Sequence, residues 1–236
     1  MANLITRHIP NTLTCLNLFF GGIACVMAFQ FKYEAALCCI IISAVFDFFD
    51  GLTARALKAY STIGKDLDSL ADDVSFGVAP SVIMYSLLTE KISLTESVYF
   101  ADWLPYTAFL IAVFSALRLA KFNNDTRQTS SFIGLPVPAN ALFWASLVAG
   151  SHEELLSSSI HPLYLLVLIC LFSWLLVSEI PMFSLKFKSL SWSKNKVSFS
   201  FLLVCIPLLI LLKISSFAAI IVWYIVLSLL TWKKRG

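Results

Sequence analysis

Long apolar runs separated by short polar connections dominate the chain. Eight runs, bounded by charged residues, proline or glycine, fall at positions 13–31, 35–56, 68–88, 103–119, 137–150, 162–178, 197–212 and 215–232. A helix that crosses the hydrocarbon core of a bilayer needs about 20 mainly apolar residues. The pattern therefore predicts an all-α fold, a polytopic integral membrane helix bundle of about eight transmembrane helices.

The composition leaves little room for another architecture. Hydrophobic residues make up 59% of the 236 positions and charged residues only 13%, which is too apolar for a soluble domain. We therefore predict a single membrane domain over 1–236, with membrane lipid as its first partner. The net charge of +3 gives no reason to expect nucleic acid as a partner.

Basic residues indicate the orientation of the helices. An even number of spans puts both termini on one side, and of the 17 Lys and Arg residues only Lys32, Lys91 and Lys213 fall on the other side. Since basic residues accumulate in cytoplasmic loops, we predict cytoplasmic N- and C-termini. The run 13–31 is too long for the apolar part of a signal peptide and is interpreted as a retained helix.

Acidic residues are concentrated in one short segment. Of the 14 acidic residues, 6 lie between positions 47 and 73, although charge near a bilayer is costly and usually marks function. Helical spacing arranges this segment into two polar stripes. The first stripe, on the second helix, contains Asp47, Asp50, Gly51, Ala54, Arg55 and Lys58, and the second enters the third helix at positions 61, 64, 68, 72 and 75.

The short connection between these two helices predicts that they are antiparallel neighbours. Asp47, Asp50, Asp68 and Asp72 then converge, and four like charges together need a counter-ion. Because the candidate ligands are all carboxylate oxygens, they suit a hard divalent cation, Mg²⁺ or Mn²⁺. Their number suits two ions per active site.

The same stripes carry features that suit a phosphate-bearing ligand. Gly51, Ala54 and Gly64 remove side-chain bulk beside the carboxylates. Arg55 and Lys58 add positive charge on the same face, where they suit a phosphate group. The alternative is an ordinary helical hairpin whose carboxylates are neutralised by neighbouring Lys and Arg side chains.

The segment 47–72 follows the pattern D-x-x-D-G-x-x-A-R, eight further residues, then G-x-x-x-D-x-x-x-D. Its fixed positions are Asp47, Asp50, Gly51, Ala54, Arg55, Gly64, Asp68 and Asp72. This pattern resembles the signature of the CDP-alcohol phosphotransferases. The resemblance implies a membrane enzyme that moves a phosphatidyl-type group from a CDP-linked lipid to an alcohol with the help of two divalent metal ions.

Further segments resemble the phosphatidylserine synthase branch of that family. They are 68–80, Pro10-Asn11 with Thr14 and Asn17, 118–123, 134–138 and 177–186. This likeness implies CDP-diacylglycerol and L-serine as substrates, direct attack by the serine hydroxyl, and CMP as the leaving group.

The resemblance also implies roles for the carboxylates. Asp47, Asp50 and Asp68 are expected to be metal ligands, and Asp72 is expected to be both a ligand and the catalytic base that takes the hydroxyl proton. Asp73 adds a carboxylate outside the signature, and we interpret it as a residue that lines the site or supports the ligands.

Residues around the carboxylates are candidates for substrate binding. We assign CDP-lipid binding to Asn11, Thr14, Asn17, Gly51, Ala54, Arg55, Lys58 and Gly64. For the three residues of the first helix, hydrogen bonding between helices is an equal alternative.

Serine is a zwitterion, so its carboxylate calls for a cation. Candidate serine-binding residues are Ser75, Arg118, Lys121 and Asn123. The alternative for the basic pair is ordinary flanking of a cytoplasmic helix end. For Ser75 the alternative is a hydrogen bond within its own helix.

The resemblance divides the chain into a six-helix catalytic core over 1–178 and an additional helix pair over 179–236. It also implies a homodimer, for which Gly21, Gly22 and Ala24 offer close helix contact. We expect a prokaryotic inner-membrane protein whose active site faces the cytoplasm. Two alternative functions stay open: transfer to glycerol phosphate or inositol phosphate, and divalent-cation transport.

Overall fold

The computed structural model describes residues 4–59, 61–94, 102–125, 132–183 and 196–232. Its helices are α1 (Leu4–Phe29), α2 (Tyr33–Leu57), α3 (Thr62–Asp72), α4 (Ala79–Ser93), α5 (Leu110–Asn124), α6 (Val137–Leu156), α7 (Pro162–Val177), α8 (Lys196–Leu212) and α9 (Ser216–Trp232). A π-helical segment, Asp73–Val78, joins α3 to α4, and 3₁₀ turns at Leu104–Phe109 and Lys213–Ser215 precede α5 and α9. The all-α prediction is confirmed.

The helical segments follow the apolar runs but differ from them at some ends. The third run begins at position 68, six residues after the start of α3 at Thr62. The helix begins there because the Ser61 hydroxyl accepts a hydrogen bond from the Gly64 amide at 2.9 Å. Such a side-chain cap satisfies one of the free amides at a helix start. The fifth run ends before its helix, which continues to Leu156 across a kink at Ser151.

Four segments are long and apolar enough to cross a membrane, judged by length and composition in the described part of the chain. They are His8–Phe29, Tyr33–Leu57, Leu104–Asn124 and Val197–Trp232. The last segment holds both α8 and α9, which pack against each other across the left-handed backbone of Lys213, with φ of 47°. A total of about eight spans stays a prediction.

Helices α1, α2 and α3 surround the end of the bundle that carries the acidic segment. α1 and α2 form a hairpin, α3 and the π-helical segment pack across α1, and α5 packs on the π-helical segment. α6 lies against α2, α4 and α9, with Trp144 completely buried. Large exposed side chains such as Phe19, Phe48 and Leu203 suit contact with lipid tails.

The π-helical segment lies unusually close to α1. A Cβ atom added at Gly21 would lie 2.8 Å from the Cα atom of Ser75, so only glycine permits this approach. The hydroxyls of Ser75 and Ser43 each donate a hydrogen bond to the backbone oxygen of Asn17 at 3.0 Å. Asn17 therefore joins α1, α2 and the π-helical segment.

The small residues that we expected at a subunit interface are partly used within the chain. Gly21 contacts Ser75, and Ala24 is fully buried, so neither is a free surface for a second copy. A Cβ atom at Gly22 would meet no neighbour within 4 Å. Of the three residues, only Gly22 keeps the open surroundings that the dimer prediction requires.

A short antiparallel strand pair supplements the helices. β1 (Phe132–Ile133) pairs with β2 (Pro181–Met182), so the chain after α7 returns to the segment before α6. α9 holds this return in place, since the Tyr224 hydroxyl donates a hydrogen bond to the Phe183 backbone oxygen at 3.0 Å. The pair was not expected from the sequence.

Candidate active site

The acidic stripes of α2 and α3 meet at one point. One carboxylate oxygen from each of Asp47, Asp50 and Asp68 lies within 4.8 Å of the other two. Asp72, one turn further along α3, lies within electrostatic range of all three. The helices bring the four predicted carboxylates together because residues spaced by three or four positions share a helix face.

The donor set and its surroundings fit hard divalent cations. Within the described ranges no Lys or Arg forms an ion pair with these four carboxylates, so they are not the neutralised surface of an ordinary hairpin. Oδ1 of Asp68 is buried and has no hydrogen-bond partner. Clustered, partly buried carboxylates cannot all stay ionised without a cation, and oxygen ligands of this kind are those that Mg²⁺ and Mn²⁺ prefer.

Two residues of α1 hold individual carboxylates. The Thr14 hydroxyl donates a hydrogen bond to Oδ2 of Asp50 at 2.6 Å. Asn17 donates from Nδ2 to Oδ1 of Asp72 at 3.1 Å. Both α1 side chains are buried, and Asn17 is completely so. Hydrogen bonding between helices, the alternative offered for these residues, is what the structure contains.

A cavity of about 420 Å³ opens beside Asp50 and Asp68, between α1, α2 and α3. Six of the eight residues predicted to bind the CDP-lipid line it, together with Pro10, Ala59, Ser61 and Lys65. These six are Asn11, Thr14, Gly51, Ala54, Arg55 and Gly64. The other two, Asn17 and Lys58, do not line it.

Glycine at position 64 keeps this cavity open. A Cβ atom there would lie 2.9 Å from the Ser61 hydroxyl and 3.0 Å from Oδ1 of Asn11. Those distances are too short for a side chain to fit without movement. At Gly51 the nearest atom to such a Cβ, Nη2 of Arg55, is 3.9 Å away, so that side faces open space.

Arg118 lies on α5 and does not line the cavity between α1, α2 and α3. Its guanidinium carbon is 4.8 Å from the centre of the Phe122 ring. Only 6% of the residue is exposed, yet its Nε and Nη2 atoms have no hydrogen-bond partner among the described residues. It lies within electrostatic range of Asp72. A buried guanidinium with free donors is suited to an anionic ligand group.

The remaining predicted serine-binding residues already have partners within the chain. The Lys121 amino group contacts a carboxylate oxygen of Glu179 at 2.9 Å. Asn123 donates from Nδ2 to the Ser69 hydroxyl at 2.7 Å, and the Ser75 hydroxyl is bonded to the Asn17 backbone as described above. Their part in serine binding stays a prediction, and of the set only Arg118 has buried donor nitrogens with no hydrogen-bond partner among the described residues.

Some residues near the site were not singled out by the sequence. Ser43 and Ser115 are completely buried hydroxyls in apolar runs, where a single serine carries no clear signal. The Ser115 hydroxyl lacks a hydrogen-bond partner among the described residues, and so does Oδ1 of Asp73, which the sequence did single out as a residue that lines the site or supports the ligands. Asp73 lies against Gly77, where a Cβ atom would be 2.7 Å from its Oδ1.

The chain is similar to a known protein family over most of its length. The family model of the CDP-alcohol phosphatidyltransferases matches residues 7–176. This range includes all four clustered carboxylates and every cavity residue described above. It ends just before the return segment that carries β2.

Several curated relatives named CDP-diacylglycerol–serine O-phosphatidyltransferase are similar to this chain. The Bacillus subtilis protein is 34% identical over 178 residues, which cover 74% of this chain and 89% of the relative. The protein of Helicobacter pylori strain 26695 is 28% identical over 226 residues, 94% of this chain and 90% of the relative. The Methanocaldococcus jannaschii protein is 31% identical over 173 residues, 73% and 72% respectively.

Proposed function

The chain belongs to the CDP-alcohol phosphatidyltransferase family, and on this premise we propose that it makes phosphatidylserine. In the proposed reaction the phosphatidyl group of CDP-diacylglycerol passes to the hydroxyl of L-serine, and CMP is released. The observation that carries the proposal is the convergence of Asp47, Asp50 and Asp68 beside a cavity lined by the residues of the family signature. The relatives that share the serine transferase name support the choice of acceptor.

We assign the cavity between α1, α2 and α3 to the CDP part of the lipid substrate. Its volume of about 420 Å³ lies within the range of about 300–1,000 Å³ that is usual for small-molecule sites. Arg55 lines it and makes no ion pair with a described residue, so its guanidinium is available to a phosphate oxygen. Lys58 does not line the cavity but directly precedes Ala59, which does, and we assign to it additional positive charge for the phosphate groups.

The four carboxylates are proposed to hold two divalent cations, Mg²⁺ or Mn²⁺. Asp47, Asp50 and Asp68 act as ligands, and Asp72 contributes from the next turn of α3. Cations bound there supply neutralisation of the pyrophosphate and polarisation of the phosphorus under attack.

Asp72 is proposed to accept the proton of the serine hydroxyl. A neutral hydroxyl is a weak nucleophile, so it needs a base within hydrogen-bond reach. As the serine oxygen forms its bond to phosphorus, the bond from phosphorus to the CMP oxygen breaks, and the proton passes to the carboxylate. Asn17 holds Oδ1 of Asp72, which leaves Oδ2 for the proton.

Arg118 is proposed to bind the carboxylate of serine. Its position near Asp72 and its unpartnered Nε and Nη2 support this role. An acceptor anchored there by its carboxylate has its hydroxyl side free to face the base. Lys121 and Asn123, which are bonded to Glu179 and Ser69, are proposed to hold the end of α5 in position.

The membrane setting of the reaction follows the same proposal. About eight helices cross the prokaryotic inner membrane, both termini lie in the cytoplasm, and the active site opens to the cytoplasm. Residues 1–178 form the catalytic core and 179–236 an added helix pair. A homodimer through the membrane helices completes the proposed assembly.

An acceptor screen tests the proposed function. The full chain, purified in detergent, is mixed with CDP-diacylglycerol and Mn²⁺ or Mg²⁺, and CMP release and lipid product are measured with L-serine, glycerol phosphate, inositol phosphate or no alcohol. We expect CMP and phosphatidylserine in equal amounts with serine only. Chelation of the metal should stop the reaction, and added Mn²⁺ or Mg²⁺ should restore it.

The same screen, together with a metal-uptake assay in liposomes, gives the outcomes that count against the proposal. CMP release with glycerol phosphate or inositol phosphate, and none with serine, would assign the chain to another acceptor within the family. No CMP release with any alcohol, together with metal uptake into sealed liposomes that does not depend on CDP-lipid, would favour transport.

A further inference from the structure

The side chain of Asn17, which the sequence assigns to CDP-lipid binding, contacts Asp72 and does not line the cavity. It is completely buried and is absent from the residues that line the cavity beside Asp50 and Asp68. Its side chain instead donates a hydrogen bond to Oδ1 of Asp72 at 3.1 Å. A residue in this position can affect turnover without touching the CDP-lipid.

The chemistry of the amide fixes its orientation. Only the NH₂ group can face an ionised carboxylate, since an amide oxygen there would repel it. The other end of the amide, Oδ1, is buried and has no hydrogen-bond partner among the described residues. The Asn17 side chain therefore makes a single hydrogen bond in the described structure, and that bond is to Asp72.

Hydrogen bonds from two other elements also hold the backbone of Asn17. Ser43 of α2 and Ser75 of the π-helical segment donate to its backbone oxygen, each at 3.0 Å, and both serines are completely buried. Gly21, one turn further along α1, provides the space for Ser75. Asn17 on α1 is thus held in position by α2 and the π-helical segment, and it in turn holds Asp72.

We infer that Asn17 is a positioning residue that orients Asp72, with Ser43 and Ser75 holding Asn17 in turn. Its amide occupies Oδ1 of Asp72 and directs Oδ2 towards the acceptor hydroxyl. The inference rests on the proposed function, because it takes Asp72 as the base. It reassigns Asn17 from CDP-lipid binding to the orientation of the group that receives the proton.

A double-mutant cycle between Asn17→Ala and Asp72→Asn tests this role. The full chain is assayed in mixed micelles with whichever alcohol the wild type accepts, and kcat and KM are measured for both substrates. Loss of a hydrogen bond to a charged group should lower kcat about 10- to 100-fold. The KM for CDP-diacylglycerol should change less than about 2-fold, since Asn17 does not reach the cavity.

The cycle distinguishes action through Asp72 from an independent effect. If Asn17 acts only through that carboxylate, Asn17→Ala should cost little more once Asp72→Asn is present, so the two losses should not multiply. Calorimetry with Mn²⁺ and CDP-lipid should show a smaller loss of affinity than of kcat for Asn17→Ala, because Asn17 is bonded to Asp72 alone of the four carboxylates. Asn17→Leu, with a similar size and no donor, should lose at least as much turnover as Asn17→Ala.

A buried asparagine elsewhere provides the matched control. Asn140 of α6 is completely buried and accepts a hydrogen bond from Trp144, so Asn140→Ala removes a similar side chain from a helix core. It should leave kcat within about 2-fold of the wild type even if stability falls.

Three results would overturn the inference: losses that multiply in the cycle, a raised KM for CDP-diacylglycerol with unchanged kcat, or an Mn²⁺ affinity that falls as far as kcat. Failure of the proposed function is seen separately, as a wild type that releases CMP with an alcohol other than serine. The cycle is then run with that alcohol.

Discussion

Thr14 donates a hydrogen bond from Oγ1 to Oδ2 of Asp50 at 2.6 Å, and both side chains are buried. The bond joins α1 to α2 across 36 positions of sequence. It fixes the rotation of one of the three carboxylates that lie within 4.8 Å of one another. A hydroxyl on α1 thereby sets the geometry of a candidate metal ligand on α2.

Thr14→Val should weaken metal binding without removing any ligand. Valine has nearly the same shape as threonine but no donor, so Asp50 loses the bond that orients it. Changes of this kind beside metal ligands typically cost about 10- to 100-fold in metal affinity. Titration of CMP release with Mn²⁺, alongside calorimetry, measures the shift.

Thr12→Val is the matched control for that substitution. Thr12 is an exposed residue of the same helix, and its hydroxyl is bonded to the His8 backbone oxygen at 3.0 Å. The Mn²⁺ requirement of this variant should equal that of the wild type. An equal shift in both variants would mean that the effect comes from α1 in general and not from the bond to Asp50.

Asp72→Asn and Asp47→Asn should fail in different ways. An amide keeps a carbonyl oxygen as a weak ligand but cannot accept a proton, so Asp72→Asn should lower turnover by about 10²- to 10⁴-fold. Its CDP-lipid binding in the presence of metal should stay measurable. Asp47→Asn should lose metal affinity and both functions together.

Calorimetry at graded Mn²⁺ concentrations and single-turnover CMP release separate these two defects. Asp66→Asn serves as the control, because it changes an exposed carboxylate of α3, the helix that carries Asp72. This variant should keep the metal affinity and the CMP release of the wild type. Equal loss of metal affinity in the Asp47 and Asp72 variants would remove the case for Asp72 as a dedicated base.

Gly64→Ala should weaken the binding of CDP-diacylglycerol. The added methyl group would lie 2.9 Å from the Ser61 hydroxyl and 3.0 Å from Oδ1 of Asn11, so the cavity narrows or α1 moves away from α3. Overpacking of this kind costs about 1–3 kcal/mol. We expect a KM for the lipid raised by roughly 5- to 100-fold and a smaller change in the KM for serine.

Gly22→Ala tests whether any glycine substitution near α1 has the same result. A Cβ atom at Gly22 meets nothing within 4 Å, and alanine is the better helix former. Kinetic constants of that variant should match those of the wild type. Matching constants in Gly64→Ala as well would show that the space beside Ser61 and Asn11 is not used by the substrate.

Helical periodicity was enough to predict which carboxylates meet. Asp47 and Asp50 share a face of α2, and Asp68 and Asp72 share a face of α3. The prediction that the two helices pack on each other is wrong, because each of them packs on α1, which brings the two faces together. Each face depends only on local spacing, so one sequence contains it, whereas the packing of both helices on α1 could not be predicted in this way. The all-α fold could be predicted for the same reason, since each apolar run specifies its own helix.

Contacts that depend on how helices rotate and cross could not be predicted in this way. Asn17 lies 55 positions from Asp72 in sequence. Its side chain contacts that carboxylate and not the cavity because α1 approaches the π-helical segment closely at Gly21. Lys121 meets Glu179 because the chain returns through the β1–β2 pair. Neither the π-helical turn nor a two-residue strand pair has a clear local signal.

Arg118→Lys should impair the use of serine and spare the lipid substrate. Arg118 is buried with Nε and Nη2 unpartnered, so its planar fork is available to the serine carboxylate, and lysine keeps the charge but not the fork. We expect the KM for serine to rise about 10- to 100-fold while that for CDP-diacylglycerol changes less than about 2-fold. Lys121→Gln is the comparison, because Lys121 is already bonded to Glu179, an exposed pair of the kind that contributes little. Its serine KM should stay within about 3-fold of the wild type. A larger rise in Lys121→Gln than in Arg118→Lys would transfer the carboxylate-binding role to Lys121.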